Sequence, residues 1–180
     1  MNVIVEGGRS EIAVNLLQRL KADGWTIDFK GTWDLLILAR GTMNPIGKFF
    51  DTDLQSWLSC VDTNAMHVLE DARFWWGVRN PGAQVVFLGG PNQSKPCETY
   101  SAYKCGKAIL EAIVPTLNAE YPTHRFHVLN PGVVNTKIHQ QTIAAGDRAA
   151  NLERVKRIVS GEEVTVTHDE VYQKLRALIA

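Results

Sequence analysis

The sequence has little of what several protein classes require. Only three cysteines, Cys60, Cys97 and Cys105, occur among 180 residues. Their odd number argues against a disulfide framework, and none stands at metal-ligand spacing. His67, His124, His127, His139 and His168 are equally scattered, so no metal site is expected. No apolar run approaches the ~20 residues that a membrane span needs. Lys plus Arg and Asp plus Glu both number 19, so the formal net charge is zero. That balance gives no reason to expect nucleic acid or an anionic membrane as a partner. The chain opens on a strand-like run with no signal-peptide pattern, so a cytoplasmic protein is expected. No Ser-His-Asp arrangement is legible.

What is present is an ordinary globular mixture, 45% hydrophobic and 21% charged. A chain of this length can bury one substantial core, so a single domain over residues 1–180 is expected. Asn2 to Val5 reads as a first buried strand. Gly7-Gly8-Arg9-Ser10 follows, then Ile12, Ala13, Leu16, Leu17 and Leu20 at helical spacing, with Gly24 as the stop. Strand, glycine loop and helix is the layout in which a helix N-terminus meets a phosphate.

Trp25 to Phe29 reads as a second strand and Asp34 to Leu38 as a third. Between Phe29 and Asp34 no helical crossover fits, since one needs a dozen or more residues. Asp53 is placed to cap a long helix with Trp57, Val61, Val68, Ala72 and Trp75 as its stripe, closed by Gly82. Trp75 and Trp76 are adjacent, so one of them is expected to face a neighbouring subunit. Val85 to Leu88 and Phe126 to Leu129 read as further buried strands. Residues after Thr136 should be a flexible segment. Asp147 to Val159 reads as a helix with Glu153 and Arg157 four apart. Thr167 and Glu170 make a capping box for a last helix ending at Ile179.

The helix between the last two strands opens with Tyr103 and Lys107. Four-residue spacing puts phenol and ammonium on one face. A Lys beside a Tyr favours the phenolate and lowers a pKa that starts near ~10, which suits proton exchange near neutral pH. Tyr100 and Lys104 repeat the spacing. Pro115 lies inside the same helix, where an interior Pro costs roughly 3 kcal/mol unless the helix kinks.

Strand, loop, Tyr-x-x-x-Lys helix, strand and Pro131-Gly132-x-Val134-x-Thr136 together resemble the short-chain dehydrogenase/reductase family. Starting the match at Tyr103 also aligns Leu110, Leu117 and Glu120, which a start at Tyr100 does not. The resemblance implies a Rossmann-like α/β fold: a doubly wound parallel sheet, here of about five strands in the order 2-1-3-4-5, with helices on both faces. It implies hydride transfer between NADP, or NAD, and a small carbonyl or alcohol. Tyr103 would exchange the proton and Lys107 would hold the nicotinamide ribose. Asn64, seven residues after Trp57, would anchor a water beside Lys107. Gly7, Gly8, Arg9, Ile12 and Gly41 would meet the cofactor, and Pro131, Gly132, Val134 and Thr136 its nicotinamide end. A homodimer or homotetramer through the Trp75–Trp76 helix and the Tyr103 helix is implied as well.

Several motifs depart from the family pattern. Glu11 and Ala13 replace two glycines, and Glu11 sets a carboxylate where phosphate should approach. It equally complements the helix dipole as a structural turn. Asn-Asn-Ala-Gly is reduced to Leu38-Ala39-Arg40-Gly41. The hydroxyl expected thirteen residues before Tyr103 is replaced by Gly90, with Asn92, Gln93 or Ser94 as substitutes. No Asp clearly fits the ribose-diol role, since Asp28 comes early. These losses leave a second reading open, a non-catalytic nucleotide-sensing or interaction module. A flavodoxin-type FMN protein is a distant third, because its phosphate loop is absent.

Overall fold

The computed structural model describes residues 1–27, 30–90 and 94–180. The sequence alternates short apolar runs with amphipathic helices, and the runs pair into one parallel sheet. Its strands are β1 (Asn2–Glu6), β2 (Thr26–Ile27), β3 (Trp33–Leu38), β4 (Arg79–Leu88) and β5 (Arg125–Leu129), in the order β2-β1-β3-β4-β5. All four pairings are parallel. This is the expected architecture.

Pleating divides the strand residues between two cores. Val3, Val5, Leu35, Ile37, Val86, Leu88 and Leu129 face α1 (Glu11–Ala22) and α7 (His168–Ile179). Ile4, Leu36, Leu38, Val85, Phe87 and Phe126 face α3 (His67–Trp76) and α4 (Ser101–Glu120). Both faces of the three inner strands are covered, which is why they read as continuous apolar runs. The caps of α1, of α2 (Leu54–Val61) and of α7 are Ser10, Asp53 and Thr167, and each side chain accepts a backbone N–H of the first turn.

Only five residues separate Ile27 from Trp33, too few for a helical crossover. At the start of β1 and β3, Asn2 donates its backbone N–H to Asp34 at 2.6 Å and its amide to the Thr32 carbonyl at 2.9 Å. Phe29, taken as the end of the second strand, lies outside the described residues, as do Asp28, Asn92 and Gln93.

Four expectations need correction. The long helix breaks into α2, a π-helical turn over Asp62–Met66, and α3, which ends at Gly77 rather than Gly82. Gly82, expected to close that helix, lies within β4, in a bulge where pairing jumps from Trp33↔Arg79 to Leu35↔Gln84. Trp75 and Trp76 both pack on the core of their own chain, and Phe74 is the exposed aromatic, at 76%. The segment after Thr136 forms α5 (His139–Ala145), and the region from Asp147 forms α6 only over Leu152–Ser160. In α6, Glu153 pairs with Lys156, while Arg154 and Arg157 both reach Glu163.

Candidate active site

The carboxyl ends of β3 and β4 carry two glycines that set the site. Gly41 follows β3 and Gly90 follows β4. A Cβ at Gly41 would lie 3.1 Å from Asn64 Oδ1 and 3.6 Å from Lys107 Nζ. A Cβ at Gly90 would lie 2.7 Å from Lys107 Cγ and 3.4 Å from the Tyr103 hydroxyl. Tyr103, Lys107 and Asn64 therefore converge on these two backbone positions, at the edge of the sheet where open α/β proteins bind ligands.

Each side chain is placed by its element. The π-helical turn brings Asn64 inward, fully buried. Its Nδ2 donates to the carbonyls of Thr42 and Cys60, both at 2.8 Å, and its Oδ1 accepts the Thr42 N–H at 3.3 Å. Such turns insert one residue into a helix and frequently mark functional positions. Gly106 permits the packing, since a Cβ there would lie 2.6 Å from Asn64 Cβ.

Lys107 is buried to 3% exposure. Its Nζ donates to the carbonyls of Leu88 at 2.9 Å and Arg40 at 3.1 Å. Those partners are neutral, so burial lowers its pKa to about 8. An ammonium has three N–H donors, and one is left for a ligand on the Gly41 side.

The Tyr103 hydroxyl makes no hydrogen bond among the described residues. Its ring packs against the cluster of Met43, Ile46, Tyr100 and Ala145. Burial pushes the phenol up to about 12, assisted by Cys97 and Cys60. This overturns the expected direction: in the ligand-free site, loss of water dominates. The pair Tyr100 and Lys104 is engaged elsewhere. The Tyr100 hydroxyl donates to Asn151 Oδ1 at 2.5 Å and lies 2.9 Å from Thr142 Oγ1, and the Lys104 ammonium donates to the Lys95 carbonyl.

The other candidate residues fall into two groups. Gly7 turns with φ +86°, and a Cβ there would meet the Ala39 carbonyl carbon at 2.6 Å, so the glycine is required by a close approach to the end of β3. Gly8 and Arg9 are exposed in the turn, and Arg9 has no partner among the described residues. Ile12 packs against the core behind the loop rather than standing open to a ligand. In the 131–136 turn, the Pro131 carbonyl accepts from Lys174 Nζ at 3.2 Å, Gly132 lies under Val166, and Val134 is in the core with its carbonyl near His139 Nε2 at 3.0 Å. Thr136 is half-buried, and its carbonyl accepts the His139 N–H.

Glu11, at the first position of α1, accepts the backbone N–H of Lys137 at 2.5 Å. Its carboxylate thus clasps the helix N-terminus to the turn after β5. Arg40 forms a two-pronged pair with Asp71 and lies 3.9 Å from Glu6. Gln141 was not signalled by the sequence. Its Oε1 accepts from Met43 N at 2.7 Å, Asn44 N at 3.1 Å and Thr42 Oγ1 at 3.1 Å. Nothing in its sequence surroundings marks that role, because its partners lie about a hundred residues away.

A doubly wound parallel sheet with a Tyr-x-x-x-Lys helix at its carboxyl edge defines a Rossmann-like protein with a short-chain-dehydrogenase constellation. The family model for enoyl-(acyl carrier protein) reductase matches residues 22–173. The chain belongs to the short-chain dehydrogenase/reductase family. It is 29% identical over 107 residues to an uncharacterised oxidoreductase of Schizosaccharomyces pombe. That match takes in 59% of this chain and 43% of the yeast protein, so it spans under half the length of that curated relative. Among solved structures, a small-chain dehydrogenase in complex with NADPH superposes with TM-score 0.80 at 18% identity, covering 99% of this chain and 90% of the other. A 3-alpha-hydroxysteroid dehydrogenase from a Pseudomonas species, complexed with NADH, gives 0.74 at 15%, covering 100% and 90%. No helix among the described residues is long and apolar enough to cross a membrane.

Proposed function

We propose that the protein is an NAD(P)-dependent oxidoreductase that reduces a small carbonyl compound, or oxidises the corresponding alcohol. The observation that carries this is the convergence of Tyr103, Lys107 and Asn64 around Gly41 and Gly90. A purely structural role would require no unbonded phenol beside a buried ammonium.

The residues suit a nicotinamide cofactor unequally. At the nicotinamide-ribose end, Lys107 has an N–H without a partner among the described residues, and the turn from Pro131 to Thr136 would meet the nicotinamide. The phosphate end has the Gly7 turn and Arg9, but Glu11 already holds the adjacent amide. The adenine end lacks a βα unit. When bound, the cofactor supplies or accepts hydride. The chain does the rest. A phenol pushed up to about 12 is protonated at neutral pH, so Tyr103 is set to donate to a carbonyl oxygen as charge develops there. Lys107 orients the ribose hydroxyls and offers a positive charge to the phenolate left behind. Asn64 fixes Thr42 and the π-helical turn, and so the depth of the pocket.

NADPH is favoured over NADH, because the unpaired Arg9 can meet a 2′-phosphate. A homodimer or homotetramer through α3 and α4, acting in the cytoplasm, completes the reading. On α3 its apolar contact area would come from Phe74, which is exposed. The three thiols are free, in keeping with a reducing compartment. Light scattering at micromolar concentration should give at least a dimer.

The test is consumption of NADPH with a panel of ketones and aldehydes, repeated with Tyr103→Phe. Turnover that the variant loses supports the reading. Turnover that survives the variant, or none with any carbonyl, rejects it. The Glu11 clasp favours the second reading, a nucleotide-responsive module without catalysis. Binding of NADPH without turnover would select it.

A further inference from the structure

A cleft of about 780 Å³ opens between the 42–46 loop, α2 and α5. Its lining has an unusual balance. Gln55, Ser56, Ser59, Gln141 and Arg148 present polar groups, and no Asp or Glu lines it.

Two of these groups are oriented as donors. The Gln141 amide cannot be reversed, because two backbone N–H groups point at its Oε1 and an NH2 cannot accept them. The Nε2 donors are therefore the end left for the cleft, and they have no partner among the described residues. Arg148 donates Nε to the Ala145 carbonyl at 3.3 Å. Among the described residues no carboxylate pairs with its guanidinium. The acids nearby, Asp51, Asp53, Glu98 and Asp147, line an adjoining cavity of about 440 Å³, which Arg148 and Ser56 line as well.

The cleft lies one layer of side chains from Tyr103. Ile46 and Ala145 line it and also belong to the cluster on which the Tyr103 ring packs. Thr42 and Cys60 line it and hold Asn64.

We propose that this cleft binds the carboxylate of a small keto or hydroxy acid, with Gln141 Nε2 and the Arg148 guanidinium as its donors. The choice of keto and hydroxy acids rests on the oxidoreductase reading; the anion site itself does not. A planar guanidinium matches a carboxylate's two oxygens, and a neutral amide donor beside it adds direction. Gln141 serves twice, since one end of its amide fixes the 42–44 loop and the other meets the ligand.

The test uses levulinate and its methyl ester as probes, by calorimetry without cofactor. Levulinate should bind saturably, with the ester at least about tenfold weaker. Gln141→Glu keeps an acceptor for Met43 and Asn44 but removes the donors, and Arg148→Gln removes the charge. Each should weaken levulinate about tenfold or more, with the unfolding midpoint of Gln141→Glu close to that of the parent. Equal binding of acid and ester overturns the proposal. So does no saturable binding of the acid by ~20 mM, or binding that both variants leave in place. Levulinate binding in a protein that never turns over NADPH rejects only the oxidoreductase reading. Turnover of uncharged ketones without carboxylate binding rejects only the anion site.

Discussion

The two ends of the presumed dinucleotide groove have been treated differently by this sequence. At the β3–β4 edge, Asn64, Lys107 and Tyr103 meet over two glycines with their bonding in order. At the β1–β2 edge, β2 is two residues long, no βα unit fits between it and β3, and Glu11 closes the helix N-terminus onto Lys137. The lesson is that a Rossmann sheet does not depend on its adenine-side unit for its core. The apolar faces of β1, β3, β4 and β5 are covered by α1, α7, α3 and α4 without it.

The largest effect expected is at the retained edge. Tyr103→Phe should lower carbonyl reduction at least ~100-fold, the usual weight of a general acid, while NADPH affinity measured by fluorescence stays within about twofold. Equal losses of binding and rate would mean that Tyr103 shapes the pocket instead.

At the altered edge the next largest effect is a gain. Repulsion of a unit charge at ~4 Å costs on the order of 1 to 4 kcal/mol, depending on screening. Glu11→Gly should therefore tighten NADPH binding by roughly ten- to several-hundredfold, by calorimetry. No change would show that phosphate does not approach α1, and the contrast between the edges would collapse.

Gly90→Ser probes whether the missing hydroxyl can be restored. Its Cβ would meet Lys107 Cγ at 2.7 Å and Cβ at 2.9 Å, near the rigid base of the side chain. The variant should lose about 1–3 kcal/mol in urea unfolding and gain no activity. Gly90 is a fitted absence: Lys107 lies where the serine would stand.

The smallest effect is in pH dependence. The Lys107 pKa falls from 10.5 to about 8. Between those values the unfolded chain binds a proton that the folded chain has released, so this group's contribution to stability rises with pH across the window. Tyr103, raised from 10 to about 12, lowers stability as pH rises, but only above pH 10. Unfolding midpoints at pH 7.5 and 9.5 should thus show a rise that Lys107→Met flattens. His124, His127 and His139 all have lowered pKa values, chiefly through burial. They predict a separate loss of stability as pH falls below the ordinary histidine value of ~6.5.

Much of this was legible in the sequence, for local reasons. The inner strands announce themselves as apolar runs because both faces are buried. The Ser10, Asp53 and Thr167 caps are short-range chemistry, and Asn64 follows from its spacing to Trp57. What escaped depends on partners far along the chain. The π-helical turn forms where Asn64 reaches Thr42, and Gln141 is set by a loop a hundred residues earlier. Trp75 and Trp76 both pack inward because their indoles find separate places. Trp75 Nε1 donates to Glu6 at 2.9 Å, and Trp76 stacks under Arg79 and beside Phe126. Lys107 reads as an activator of Tyr103 from spacing alone, but the carbonyls of Leu88 and Arg40 claim it first.

The nicotinamide end of the site is expected to carry most of the cofactor affinity and the adenine end to add little. The direct measurement is calorimetric affinity for NADPH beside that for reduced nicotinamide mononucleotide, which lacks the adenine half. The account predicts weak binding of both, with NADPH near ~0.1–1 mM and the mononucleotide within about tenfold of it. NADPH bound at micromolar concentration or tighter with no detectable mononucleotide binding, or neither ligand bound at millimolar concentration, would contradict it.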